Sequence, residues 1–173
     1  MDVESTTGAP AGLIRRLAAL LYDLLLVVAL AFAATFAMLP LTHGEAILPS
    51  TQGGIGYAYH AVLLLVVFGY FGWSWTRSGQ TLGLKAWRIR LQTIDGGRLG
   101  WAGAAARFAL GAAIAWIAAL GAWYLSRPGS ALAHAGAAGM FGVAIVNFGW
   151  IAFDAAGRSL QDLACGTRVM RAR

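Results

Sequence analysis

Apolar positions in this chain fall into four long runs, Leu17 to Leu39, Tyr57 to Trp75, Trp101 to Leu125 and Ala131 to Phe153, divided by short polar stretches. The shortest run makes about 28 Å of α-helix, close to the hydrocarbon thickness of a bilayer. The pattern predicts an all-α polytopic membrane protein built as a four-helix transmembrane bundle. The first run is too long, and its non-basic leader too extended, for a cleaved signal peptide, so it reads as a retained span. Between spans two and three, residues 77–100, the period changes from helical to strand-like. Trp87, Ile89 and Leu91 alternate there with Arg88, Arg90 and Gln92, and Asp95-Gly96-Gly97 supplies a turn. A short return strand over Arg98 to Trp101 would complete a β-hairpin-like segment, with Gly166 to Met170 of the tail available as a third strand. A two-stranded hairpin alone is marginal. The alternative for this segment, of equal standing, is a basic amphipathic stretch lying on anionic headgroups. The loop from Pro40 to Gly56, with its prolines, glycines and serine, reads as irregular.

Composition agrees with the pattern. Hydrophobic residues make up 59% of the 173 positions and charged residues 12%, against about a quarter charged in soluble domains. The net charge of +6 is not gathered into a nucleic-acid patch. Twelve of the thirteen Lys and Arg residues sit before span one, between spans two and three, or in the tail 154–173, and only Arg127 lies on the other side. By the positive-inside rule both termini and the middle segment face the cytoplasm of a plasma membrane, in a bacterium the inner one. The bilayer is therefore the first partner, and nucleic acid is excluded. The lone Cys165 cannot form an internal disulfide, and His43, His60 and His134 have no ligand spacing, so no metal and no cofactor is expected. No set of nucleophile, base and acid residues suggests an enzyme. Gly79 to Lys85 lacks the Gly-Lys-Ser/Thr ending of a phosphate loop.

Charge inside the first run carries the chemistry. Arg16 and Asp23 lie seven residues apart, near one helix face and about 10 Å apart along the axis. A carboxylate at that depth is costly unless neutral, paired or wetted, so Asp23 is expected to face the bundle interior. Glycines in span two (Gly69, Gly72) and span four (Gly136, Gly139, Gly142, Gly149) would allow helices to approach closely, and Asn147 would bond between helices. Tryptophans and tyrosine at span ends (Trp73, Trp75, Trp101, Trp123, Tyr124) read as an aromatic belt.

From Ala11 to Met170 these residues resemble the RDD membrane-protein family, named for one arginine and two aspartates. Arg16 and Asp23 match the arginine and first aspartate of the family's first helix. Leu160-Gln161-Asp162, followed by Gly166-Thr167, resembles the segment holding the second aspartate, with Gln161 where histidine is common. Gly79, Thr81, Gly83 and Asp95-Gly96 fit the family's middle segment, although Leu84 stands where lysine is usual. Arg107 fits an arginine common at the base of span three. The resemblance implies one RDD-like membrane domain over residues 1–173, and a transporter or cation/proton exchanger. On that reading Asp23 carries Na⁺ or H⁺, Arg16 tunes it, and Asp162 with Arg107 forms a gate. Four spans are few for alternating access, so a homo-oligomer or another membrane protein would complete the machine. The competing reading is a non-transporting adaptor, assembly factor or accessory subunit in which the same four residues form a structural ion-pair network.

Overall fold

The computed structural model describes residues 9–42 and 53–172. Helix α1 (Leu13–Met38) continues into a short 3-10 turn. It is followed by α2 (Gly54–Arg77), the five-residue α3 (Leu82–Ala86), strand β1 (Ile89–Thr93), α4 (Trp101–Leu125), α5 (Ala131–Gly149), the five-residue α6 (Leu160–Ala164) and β2 (Thr167–Arg171). Four helices are long and apolar enough to cross a membrane: Leu13–Met38, Gly54–Arg77, Trp101–Leu125 and Ala131–Ala152. These agree with the four apolar runs to within a few residues. Most of the loop from Pro40 to Gly56, with His43, lies outside the described residues.

The four long helices bury little against one another. α4 and α5 touch most extensively, where Gly121 lets the backbones close: a Cβ there would fall 2.6 Å from the Ala137 carbonyl oxygen. α2 packs less broadly on α4 and on α1. Of the glycines expected to bring helices together, only Gly72 has a close neighbour, the Trp101 ring. A Cβ on Gly69, Gly136, Gly139, Gly142 or Gly149 would meet nothing within 4 Å. Large apolar side chains therefore cover the outside of the long helices, as lipid contact requires.

The dense core lies elsewhere. Ala11, Ala19, Ile89, Leu91, Leu99 and Val169 form one buried cluster, with Trp75 and Leu84 packed against it. It belongs to a cap built from the segments between and beyond the long helices. The strand expected over Trp87 to Gln92 is present as β1, starting two residues later because Trp87 caps the end of α3, but the hairpin is not. Arg98 to Gly100 forms no strand, and α4 begins at Trp101. The turn itself exists: Gly96 adopts φ +83°, and its N–H donates to the Thr93 carbonyl at 2.9 Å. The partner of β1 is the tail. β1 and β2 pair antiparallel, with Leu91 opposite Val169.

Both edges of this small sheet are occupied. On the far edge of β2, the Ala11 N–H donates to the Val169 carbonyl (3.0 Å) and the Arg171 N–H to the Ala9 carbonyl (2.9 Å). On the far edge of β1, the Leu91 N–H donates to the Gly79 carbonyl (2.8 Å), and the Gln80 amide reaches the Ile89 carbonyl (2.8 Å). The support that a two-stranded ribbon needs thus comes from chain on either side.

Two glycines make the cap close. Gly79 has φ +69°, and a Cβ would strike the Leu91 carbonyl oxygen at 2.5 Å. Gly83 sits against α1 so tightly that a Cβ would overlap the Ala19 carbonyl and the Asp23 carboxylate. Overpacking of this kind costs about 1–3 kcal/mol. Gly83→Ala is expected to lower the melting temperature in detergent by several degrees. Gly69→Ala, in open space within α2, should leave it unchanged or raise it slightly. Equal melting of the two variants would mean that α3 does not bear on α1 as described.

Candidate functional site

Two buried carboxylates organise the junction between the long helices and the cap. Asp23 is 4% exposed and Asp162 fully buried. They lie in separate clusters of opposite character.

Asp23 is held by neutral donors. Its Oδ1 accepts from the Tyr70 hydroxyl (2.7 Å) and the Gly83 N–H (2.8 Å), and its Oδ2 accepts from the Thr81 hydroxyl (2.5 Å). The Tyr70 oxygen accepts in turn from the Leu82 N–H (3.0 Å). Thr81 is also the N-cap of α3, accepting from the Leu84 N–H. The Gly79-x-Thr81-x-Gly83 segment therefore folds its first helical turn directly onto the side of α1. Arg16 does not approach Asp23. Two turns of helix set them too far apart, and each takes separate partners, so Arg16 is not placed to tune Asp23 by contact.

Asp162 is held by cations. Oδ2 pairs with Arg16 Nη1 (2.5 Å) and accepts the Ser159 N–H (3.1 Å); Oδ1 pairs with Arg107 Nη2 (2.7 Å). Ser159 and Asp162 form a capping box at the start of α6. All three Arg16 nitrogens donate: besides Nη1, Nε donates to the Ala11 carbonyl (3.0 Å) and Nη2 to those of Gly157 (2.6 Å) and Val169 (3.3 Å). Arg107 also donates to the Thr167 hydroxyl (2.6 Å), and its guanidinium lies over the Trp75 ring at 5.8 Å. One carboxylate thus joins α1, α4, α6 and β2.

Neighbouring polar groups extend this junction. The Asn147 carbonyl accepts the Gln161 N–H (2.9 Å), so it anchors the tail rather than a second long helix. The Gln161 side chain donates to the Arg107 carbonyl (2.8 Å). Trp75, read as part of an interfacial belt, instead packs under the cap. Burial pushes the Asp162 pKa up, but the Arg107 and Arg16 guanidiniums outweigh it, and the carboxyl sits below the usual aspartate range.

His60 Nδ1 donates to the Gly56 carbonyl (2.7 Å) and His134 Nε2 to the Arg127 carbonyl (2.9 Å). Among the described residues no cluster of His, Cys, Asp or Glu is placed to hold a metal.

The order of these parts along the chain matches one family model, that of the RDD family, over residues 10–166. The chain belongs to the RDD family. No curated protein and no solved structure matches it. Within this RDD protein Arg16, Arg107 and Asp162 come together and Asp23 stands apart, tied to the middle segment through Thr81 and Gly83. Sequence reasoning missed Tyr70 and Ser159, and held Thr167 only as part of the tail motif without a partner. Ser159-Leu-Gln-Asp162 carries the capping-box signature that would have found Ser159. Nothing in the sequence marks Tyr70, whose role depends on how α2 is rotated against α1.

The lowered pKa of Asp162 sets the sign of a pH effect. Its ion pairs stabilise the fold fully above the ordinary aspartate value, about 3.9, and the contribution disappears as pH falls through the lower folded value. Detergent melting curves should therefore lose stability below about pH 4. Asp162→Asn, which strands two guanidiniums, should cost about 3–5 kcal/mol at neutral pH and flatten that acid limb. An unaltered acid limb in Asp162→Asn would place the titrating group elsewhere.

Proposed function

We propose that this RDD protein is a non-transporting membrane adaptor or accessory subunit, whose Arg/Asp network clamps a preformed cap onto its membrane-spanning helices. The observation carrying this reading is the saturation of both buried carboxylates. Asp23 spends both oxygens on Tyr70, Thr81 and Gly83, and Asp162 spends both on Arg16, Arg107 and Ser159. An ion carrier must exchange ligands readily. Here each ligand doubles as a structural tie: the Thr81 hydroxyl caps α3, and Arg107 holds β2 through Thr167. The reading assigns the protein no catalytic step.

The cap is assigned to the cytoplasmic side of a plasma membrane, the inner membrane in a bacterium, with both termini there. Support comes from the clustering of basic residues before α1, between α2 and α4, and after α5. The bridge between Pro10 and Met170 and the pairing of β1 with β2 put all three segments in one body. A second membrane protein, or further copies of this one, would contact the apolar flanks left open on the long helices.

One observation favours exchange instead. Among the described residues Asp23 has no cationic partner, and two of its three donors are hydroxyls that can rotate to offer lone pairs to Na⁺. Proteoliposomes separate the readings. The adaptor reading expects no Na⁺- or K⁺-dependent proton flux above protein-free vesicles, and a loss of about 1–3 kcal/mol in Asp23→Asn, read by melting. Wild-type flux that Asp23→Asn abolishes without lowering the melting temperature would establish the exchanger and end the adaptor reading.

A further inference from the structure

The small sheet has two faces, and the Arg/Asp network uses one of them. The register sets Leu91 opposite Val169, and both side chains turn inward, into the cluster that holds Ala19 of α1 and Trp75 of α2. Thr167, on the same face, takes the Arg107 guanidinium of α4. Side chains alternate along a strand, so Arg90, Gln92, Arg168 and Met170 form the other face, which looks away from the long helices. Met170 is 8% exposed, which leaves the three polar side chains as the surface on offer. Arg90 lies opposite Met170 and Arg168 opposite Gln92. The two arginines are therefore diagonal neighbours, roughly 7–8 Å apart at the backbone. Arg88, one residue before β1, is exposed beside them.

The chain does not neutralise these cations. Ion pairs among the described residues use Arg16, Arg107 and Arg158. Asp95, exposed in the turn after β1, joins none of them. Arg168 Nε is buried with no hydrogen-bond partner among the described residues. Arg88 adopts φ +52°, left-handed backbone in which glycine would sit without steric cost. The fold thus works against an arginine at position 88, and a role in binding explains one there.

Two further facts narrow the partner. Both edges of the sheet are occupied, by Ala9 and Ala11 on one side and by Gly79 and Gln80 on the other, so nothing can join it as a further strand. The basic face also points away from the helix ends, and so away from the bilayer around those helices. What fits is an acidic protein segment whose carboxylates meet the arginine forks. In an extended chain, alternate side chains lie about 6.6 Å apart on one side, close to the spacing of Arg90 and Arg168.

We propose that Arg88, Arg90 and Arg168 form a docking surface for an extended acidic segment of a partner protein. The proposal rests on the adaptor reading and names the class of partner that such a protein would hold.

The test titrates the full chain, in phosphatidylcholine nanodiscs, into a fluorescent peptide of alternating glutamate and serine about ten residues long, enough to cross the face. A peptide of alternating glutamine and serine is the comparison, and binding is read by anisotropy. Wild type should bind the glutamate peptide, more weakly as salt rises, and not the glutamine peptide. Arg90→Gln/Arg168→Gln should raise the Kd about tenfold. Arg77→Gln/Lys85→Gln, which removes equal charge from exposed positions on α2 and α3, should bind like wild type. Arg88→Gly guards against loss of fold: it relieves the left-handed backbone, so it should melt no lower than wild type yet bind about threefold more weakly. The proposal fails if wild type does not bind the glutamate peptide, if Arg90→Gln/Arg168→Gln binds like wild type, or if Arg77→Gln/Lys85→Gln loses as much. It also fails if oligouridylate or phosphatidylglycerol vesicles of equal charge displace the peptide, which would make this a surface for anions of any class. No peptide binding and no ion flux would leave the adaptor reading standing with another partner; flux abolished by Asp23→Asn would end that reading whatever the peptide does.

Discussion

A carboxylate removed from water must find its donors within the chain, and in this protein that requirement joins the cap to the helices. Asp23 lies two turns inside an apolar helix where lipid cannot hydrate it. Asp162 lies under the sheet with no exposure at all. Each is satisfied only if a distant segment is brought to it: residues 70–83 to Asp23, and α1 with α4 to Asp162. Losing either arrangement strands charge or dipoles, so the penalty for misplacing the cap is steep. The modest contact among the long helices gives no comparable constraint.

The four charges sum to zero, yet they are unevenly shared. Asp162 has two guanidiniums; Asp23 has none among the described residues and relies on two hydroxyls and a backbone N–H. The difference follows from where each partner can come from. Arg16 and Arg107 sit at the cap ends of α1 and α4, close to α6; the Arg16 fork also takes the Gly157 and Val169 carbonyls, and the Arg107 fork takes the Thr167 hydroxyl. Deeper along α1, only the first turn of α3 and one tyrosine of α2 arrive. Glycine at position 83 is what permits that arrival, since any side chain would meet α1 first.

Some of this is legible in the sequence, and the rest is hidden for definable reasons. Span positions follow from apolar length alone and are readable within a few residues. Strand β1 is readable because alternation of Ile89 and Leu91 with arginines is a local signal. Its partner is not, because Asp95-Gly96-Gly97 makes the turn of a hairpin while Arg98 to Gly100 leads into α4 rather than into a return strand. The meeting of Arg16, Arg107 and Asp162 can be anticipated from complementary charge at matching depth. The ligands of Asp23 cannot, because the rotation of one helix about another leaves no trace in composition. Gly69 and the α5 glycines mislead for the same reason: small residues permit close approach without specifying which face takes part.

Amide hydrogen exchange across residues 79–93, compared between wild type and Asp23→Asn in lipid nanodiscs, measures the clamp most directly. If Asp23 holds the cap on α1, the Gly83, Lys85 and Leu91 amides should exchange at least about tenfold faster in the variant, one lost hydrogen bond to a charged group being worth about 1.5–3 kcal/mol. The interior of α4 should keep its protection. Unchanged protection of those three amides would contradict the account, since the cap would then be held by something other than the buried carboxylate.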